Sequence, residues 1–221
     1  PTVIVTQTQC DVCAVSLAEV ERSVCHTVSS QPKLVACEPH SLEDIWDDIA
    51  LIAEAVDDAA AGAVLIDDCR SRLEELSRQT RNLKRPRVAC LEWLDPLMAG
   101  GNWVPELVEI AGGENLFGEA GQHSPWMEWD ELLAADPDCI VLLPCGFGIE
   151  RCRQEMSVLE TDFRWHQLSA VQRGQVFLTD GNRFFNRPGP RVVESAEILA
   201  EIFHPEVFEP THENTGWVRT S

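Results

Sequence analysis

The sequence predicts an α/β protein of two lobes flanking one long helix, and three observations predict it. Short β-branched or apolar runs at residues 3–6, 33–37, 87–91, 139–143 and 175–179 alternate with stretches whose apolar residues recur at three- and four-residue steps. Residues 57–82 hold neither proline nor a turn cluster. A basic, proline-bearing break, Lys84-Arg85-Pro86, is then followed by a fresh strand-and-helix alternation. Such alternation implies largely parallel sheets.

Val3-Ile4-Val5-Thr6 reads as a buried strand, followed by a polar corner and a helix over residues 16–24. Residues 33–37 form the next strand. Ser41 with Asp44 is an N-cap pattern, and Ile45, Ile49, Ile52 and Val56 mark the apolar face of the helix that follows. In the long helix Leu65, Cys69, Leu73 and Leu76 continue at helical spacing, with charged residues on the other faces. A strut between two lobes and a helix lying on one domain give the same pattern.

Beyond the break, strand 87–91 leads to a helix over 105–111, with Pro105 suited to its first turn and Gly112-Gly113 to its stop. A short helix over 129–135 precedes strand 139–143, which ends at the flexible loop Pro144-Cys145-Gly146-Phe147-Gly148. Helices over 150–159 and 165–171, a strand over 175–179 and a final helix over 191–203 complete the pattern. The predicted division is a first lobe over 1–56, a connecting helix over 57–84, a second lobe over 85–208 and a loose polar tail over 209–221.

Composition narrows the function. The 221 residues are 44% hydrophobic, enough for real cores, and carry a formal charge of −20. That charge opposes nucleic-acid backbones and anionic lipid surfaces. No apolar stretch approaches the roughly 20 residues of a membrane-crossing helix, so no membrane insertion is expected. Residue 1 is Pro and no leader-like segment precedes the first strand, which predicts a processed end or a fragment. The nine cysteines are scattered. Cys69, Cys90 and Cys139 sit among apolar neighbours and read as small buried hydrophobes.

The richest functional signal is a set of rings in loops of the second lobe: Trp93, Trp103, Trp126, Phe147, Phe184 and Phe185. Flat side chains around a crevice can cover a broad, partly apolar ligand such as a macrocycle, or can cap the core. Cys10-Asp11-Val12-Cys13 lies between a strand and a helix, where redox dithiols sit, but the acidic neighbour works against a thiolate. A structural zinc site using Cys10 and Cys13 with Cys25, His26 or Cys37 lacks a second Cys-x-x-C at finger spacing. His123 and His166 have no tight ligand spacing, and no catalytic motif occurs, so the expectation is a non-enzyme without a resident metal or cofactor.

Glu92-Trp93-Leu94-Asp95-Pro96, Gly101-Asn102-Trp103-Val104-Pro105-Glu106-Leu107 and Ala111-Gly112-Gly113-Glu114-Asn115-Leu116-Phe117 resemble the cobalamin-binding branch of the helical-backbone (class III) periplasmic substrate-binding proteins of ABC transporters. Residues 6–16, Pro144-Cys145-Gly146-Phe147 and Arg187-Pro188-Gly189-Pro190-Arg191 resemble it too. The resemblance implies two Rossmann-like lobes joined by one long α-helix, the first lobe truncated relative to the family. It implies capture of cobalamin or a related corrinoid as transported ligand between the lobes, and delivery to a membrane permease. Iron–siderophores and haem are the alternatives within the wider family. Trp93, Trp103, Phe184 and Phe185 would line the site, with Cys145 and Gly146 on a facing loop. Glu106 and Glu109, at i and i+3 on one helix, would meet the transporter. The home implied is extracytoplasmic, although the thiols alone are compatible with the cytoplasm. A truncated sheet edge could pair with a second copy.

Overall fold

Two β-branched runs make the first sheet. In the computed structural model, which describes residues 2–7, 17–27 and 32–220, β1 (Val3–Gln7) and β2 (Lys33–Cys37) pair in parallel, in register from Val3 opposite Lys33 to Gln7 opposite Cys37. Parallel neighbours need a crossover, and α1 (Leu17–Thr27) lies within it. The Ser41 hydroxyl accepts from the Asp44 amide at 3.2 Å while the Asp44 carboxylate accepts from the Ser41 amide at 2.9 Å, the reciprocal cap that starts α2 (Leu42–Ala55). Ile45 is buried as expected, but Trp46 and Ala53 complete the buried face, while Val56 is exposed. The long helix α3 (Ala59–Thr80) is real, 22 residues and about 33 Å. Gly62 lets it approach α2, since a Cβ there would lie 2.4 Å from the Ala53 methyl. Cys69, Leu73 and Leu76 are buried, whereas Leu65 is 38% exposed.

The chain divides into two compact units, Pro1–Arg70 and Ser71–Ser221, with the division inside α3. The second unit runs β3 (Arg87–Leu94), β4 (Leu97–Ala99), α4 (Val104–Ile110), β5 (Glu114–Asn115), α5 (Trp129–Ala135), β6 (Cys139–Leu142), α6 (Ile149–Glu155), α7 (Ser157–Glu160), α8 (Ser169–Gln172), β7 (Val176–Thr179), α9 (Val192–Phe203) and β8 (Trp217–Arg219). Its sheet order is β4-β3-β6-β7-β8, with β5 beside β3. The central strands β3, β6 and β7 are parallel; β4 and β8 run antiparallel at the edges. All residues of β6 and β7 are buried, as central parallel strands require.

Gly112 has φ +81°, and the Gly113 amide donates to the Val108 carbonyl at 2.9 Å, closing α4 as the glycine pair predicts. The expected helix over 150–159 is two, α6 and α7, meeting at Met156. The expected helix over 165–171 is a 3-10 turn, Trp165–Gln167, then α8, because Leu168 is extended. Asp136 starts α8 from a distance, accepting from the Ser169 amide at 2.8 Å and hydroxyl at 2.7 Å.

The polar tail is not loose. Its last residues form β8 on β7, anchored by Glu201, which is buried on α9. That carboxylate accepts from the Trp217 indole and lies near the His212 ring, each at 2.7 Å, and accepts from the Thr211 hydroxyl at 2.5 Å. Among the described residues no helix is long and apolar enough to cross a membrane.

Candidate functional site

The C-terminal ends of β3, β6 and β7 lie side by side, because Leu91 is opposite Leu142 and Leu142 opposite Leu178. Loops leaving such ends commonly form ligand sites in α/β sheets. Three contacts bind these loops together. The Cys145 amide donates to the Glu92 carbonyl at 3.2 Å, and the Asn182 amide to the Phe147 carbonyl at 3.0 Å. The Asn186 side-chain amide donates to the carbonyls of Gly181 and Leu143, at 2.8 and 3.2 Å. Gly181 makes the approach feasible, since a Cβ would sit 2.6 Å from the Pro144 carbonyl oxygen and 2.8 Å from that of Leu143. The loop after β7 is itself a π-helical turn, Gly181–Phe185, capped by Asp180.

Of the predicted rings, Trp93 and Phe147 meet directly, and Trp126 is linked to Trp93 through Met98. Trp93 is directly opposite Met98 on β4, and Met98 pairs in turn with Trp126. Residues directly opposite across antiparallel strands project to the same face, so Trp93, Met98 and Trp126 form one apolar row. The Trp93 ring also meets the Phe147 ring, with centroids 5.4 Å apart and planes tilted by 58°. Arg151 caps the other end, its guanidinium carbon 3.9 Å from the Phe147 centroid. Trp126 is 64% exposed and Trp93 half-buried, whereas Phe147 is buried.

The other predicted lining rings are buried. Trp103, Phe184 and Phe185 are 4%, 2% and 0% exposed, and the Trp103 indole donates to the Phe185 carbonyl at 3.0 Å. Burial this deep favours a supporting role over direct ligand contact for these three. Cys145 is half-buried, and Gly146 is exposed with φ +76°, the left-handed turn of the loop. Glu106 and Glu109 both lie on α4; Glu109 is exposed and ion-paired with Arg85, and Glu106 is half-buried.

Sequence reasoning missed Met98 and Arg151, and met Glu92 only as part of a motif. Met98 was hidden by the brevity of β4. Burial raises the Glu92 carboxyl above its usual range, against the opposing Ser124 hydroxyl, which donates to it at 2.6 Å. His123 Nδ1 contacts the Ser124 carbonyl and His166 Nε2 that of Glu160. Among the described residues no group of three His, Cys, Asp or Glu is placed to hold a metal. Cys10 and Cys13, the dithiol candidate, lie outside the described residues, as do the side chains of Cys25 and His26. Burial pushes the Cys37 thiol up to about 11, with Asp48 adding to the rise.

A family model described as periplasmic binding protein matches residues 1–182. The Vitamin B12-binding protein of Vibrio vulnificus (strain CMCP6) is 25% identical over 177 residues, 77% of this chain and 60% of that protein. The chain thus spans about three-fifths of that relative's length. Among solved structures, a periplasmic heme binding protein from Pseudomonas aeruginosa superposes with TM-score 0.77 at 14% identity, covering 100% of this chain and 77% of the other. The periplasmic Vitamin B12 binding protein BtuF of Vibrio cholerae does so with TM-score 0.65 at 19% identity, covering 91% and 73%. At these identities the superpositions speak to fold alone.

Proposed function

The chain belongs to the periplasmic binding protein family, and on that premise we propose that it captures cobalamin or a related corrinoid for delivery to an ABC permease. One observation carries the reading: the Trp93, Met98 and Trp126 row, continued by Phe147, at the loop end of the second unit. A corrin is a broad, nearly flat macrocycle with apolar faces. Rings and a thioether in a row offer its macrocycle dispersion contact and water exclusion. The names of the B12-binding and cobalamin-binding relatives point the same way.

The site suits binding rather than turnover. Phe147 is buried and its loop is tied to the π-helical turn through the Asn182 amide, so little freedom is lost there when a ligand settles. Corrinoid is cargo in this reading, not a cofactor. Permease docking falls to Glu106 on α4, with Glu109 joining once it leaves Arg85. Delivery to a permease places the protein outside the cytoplasm.

Calorimetric titration with cobalamin tests the proposal, with haem and an iron–siderophore as competing cargoes. Saturable one-to-one binding of cobalamin is expected, weakened at least tenfold in Trp93→Ala and in Trp126→Ala, since truncating a central aromatic commonly costs more than 1.4 kcal/mol of binding. Preference for haem or siderophore would replace corrinoid as the cargo. Cobalamin binding unaffected by both substitutions would remove the row from the site.

A further inference from the structure

In a chain of net charge −20, arginines generally find carboxylates, and Arg70, Arg72, Arg78, Arg85, Arg164 and Arg173 each bridge one. Three arginines on the loop end of the second unit depart from that pattern: Arg183, which lies over the Phe184 ring, and the two linked to Phe147, Arg187 and Arg151. Arg187 is exposed and bridges no carboxylate among the described residues. Its guanidinium donates instead to two neutral acceptors on one residue, the Asn182 carbonyl at 3.2 Å and the Asn182 side-chain oxygen at 3.0 Å. Arg151 is exposed too, and its carboxylate contact, Glu155 at 3.8 Å, involves side chains 59% and 54% exposed. A solvated pair of that kind adds little.

Both guanidiniums are tied to Phe147. Arg151 lies over the ring, and Asn182, which holds Arg187, donates its amide to the Phe147 carbonyl at 3.0 Å. A guanidinium resting on a ring face keeps its edge N–H groups available, and one fixed by neutral acceptors keeps its full positive charge. The neighbouring carboxylate of Asp180 is engaged in capping the turn, accepting from the Arg183 amide at 2.8 Å. Phe147, at the end of the row, is thus linked to two positive charges, one through its ring and one through its backbone.

We propose that Arg151 and Arg187 form an anion subsite that receives the phosphodiester of a corrinoid whose macrocycle lies on the row. This rests on the corrinoid reading above. Cobalamin carries such a phosphodiester between its macrocycle and its lower base; cobinamide has the macrocycle without the phosphate. The geometry of a guanidinium matches two phosphate oxygens at once, which an ammonium or a neutral donor does not.

The test is titration of the wild-type chain and the double variant Arg151→Gln/Arg187→Gln with cyanocobalamin and with dicyanocobinamide. Both side chains are exposed, so the variant should keep the wild-type circular dichroism spectrum and melting temperature. The expected result is a loss of about tenfold or more for cyanocobalamin, the scale of one or two charge-assisted hydrogen bonds, and less than about threefold for dicyanocobinamide. Equal losses for the two ligands, or none, overturn the subsite while leaving the corrinoid reading in place. If the wild-type chain binds neither corrinoid, the corrinoid reading itself fails, and haemin, a flat macrocycle with two carboxylates, decides the subsite. A selective loss of haemin binding in the double variant then keeps it as an anion site, and unchanged or absent haemin binding removes it.

Discussion

Replacing Trp103 with alanine should damage the fold far more than it damages ligand recognition directly. The side chain is 4% exposed and its indole N–H reaches the Phe185 carbonyl at 3.0 Å, so the substitution removes both a core ring and the donor to that oxygen. Truncating a buried aromatic costs about 3–5 kcal/mol, hydrogen bond included. In a unit of this size that lowers the melting temperature by roughly 10 °C, at about 2–4 °C per kcal/mol. Trp103→Phe keeps most of the ring and loses the donor, which should cost about 1–2 kcal/mol. Urea denaturation followed by circular dichroism measures both variants. Trp93→Ala is the control, since Trp93 is half-buried and its indole serves only the local Asp95 carbonyl at 3.1 Å. It should cost less than about 2 kcal/mol of stability, mainly the lost ring pair with Phe147. An alanine variant of Trp103 within about 1 kcal/mol of wild type, or a Trp93 variant less stable than it, would refute the division of the rings into support and surface.

Three further outcomes are expected. Burial alone raises the Glu201 carboxyl, but hydrogen bonds from Thr211, Trp217 and His212 outweigh it and hold the group below its ordinary 4.5. Its stabilisation is therefore complete above that value and lost as pH falls through the depressed folded value. Glu201→Gln should cost about 1–3 kcal/mol at pH 7, and its difference from wild type should close in acid, read from denaturation curves between about pH 3 and 7. Gly181→Ala should cost about 2 kcal/mol or more, because the added methyl meets carbonyl oxygens of the neighbouring loop, and a variant melting like wild type would contradict the packing of these loops. Burial pushes the thiols of Cys90 and Cys152 up to about 12 and Cys139 well above its usual range, so iodoacetamide at pH 8 should modify half-buried Cys145 before any of these, as peptide mass mapping would show.

The parts legible in the sequence were those with a strong local cause. Ser41 and Asp44 announce a cap, Gly112-Gly113 a stop, and the apolar runs at β6 and β7 can only be central strands, because both faces of each are covered. What escaped depends on distant partners. β4 and β5 have three and two residues and no periodicity to read. β8 is only three residues in a polar tail and becomes a strand through β7 and the buried Glu201, which sequence position alone marks as a surface charge on a helix. Leu168 interrupts an otherwise helical pattern because Asp136, 33 residues earlier, takes over the Ser169 amide.

The rings show where residue type stops being informative. All six were chosen for the same reason, as large flat side chains in loops after strands, yet a ring in a loop can point toward solvent or back under the sheet. Trp126 and Trp103 differ in this respect by a single structural fact. Trp126 continues an antiparallel row across β4 and is carried to the surface, while Trp103 stands at the start of α4, where its indole is turned inward to the Phe185 carbonyl. The two classes then depend on one another. The π-helical turn that buries Phe184 and Phe185 also offers the Asn182 amide to the Phe147 carbonyl, so the backbone that carries the buried rings also holds the Phe147 loop. A surface held in this way arrives at its ligand already shaped, and loosening the buried layer should weaken binding through positions that never touch the cargo.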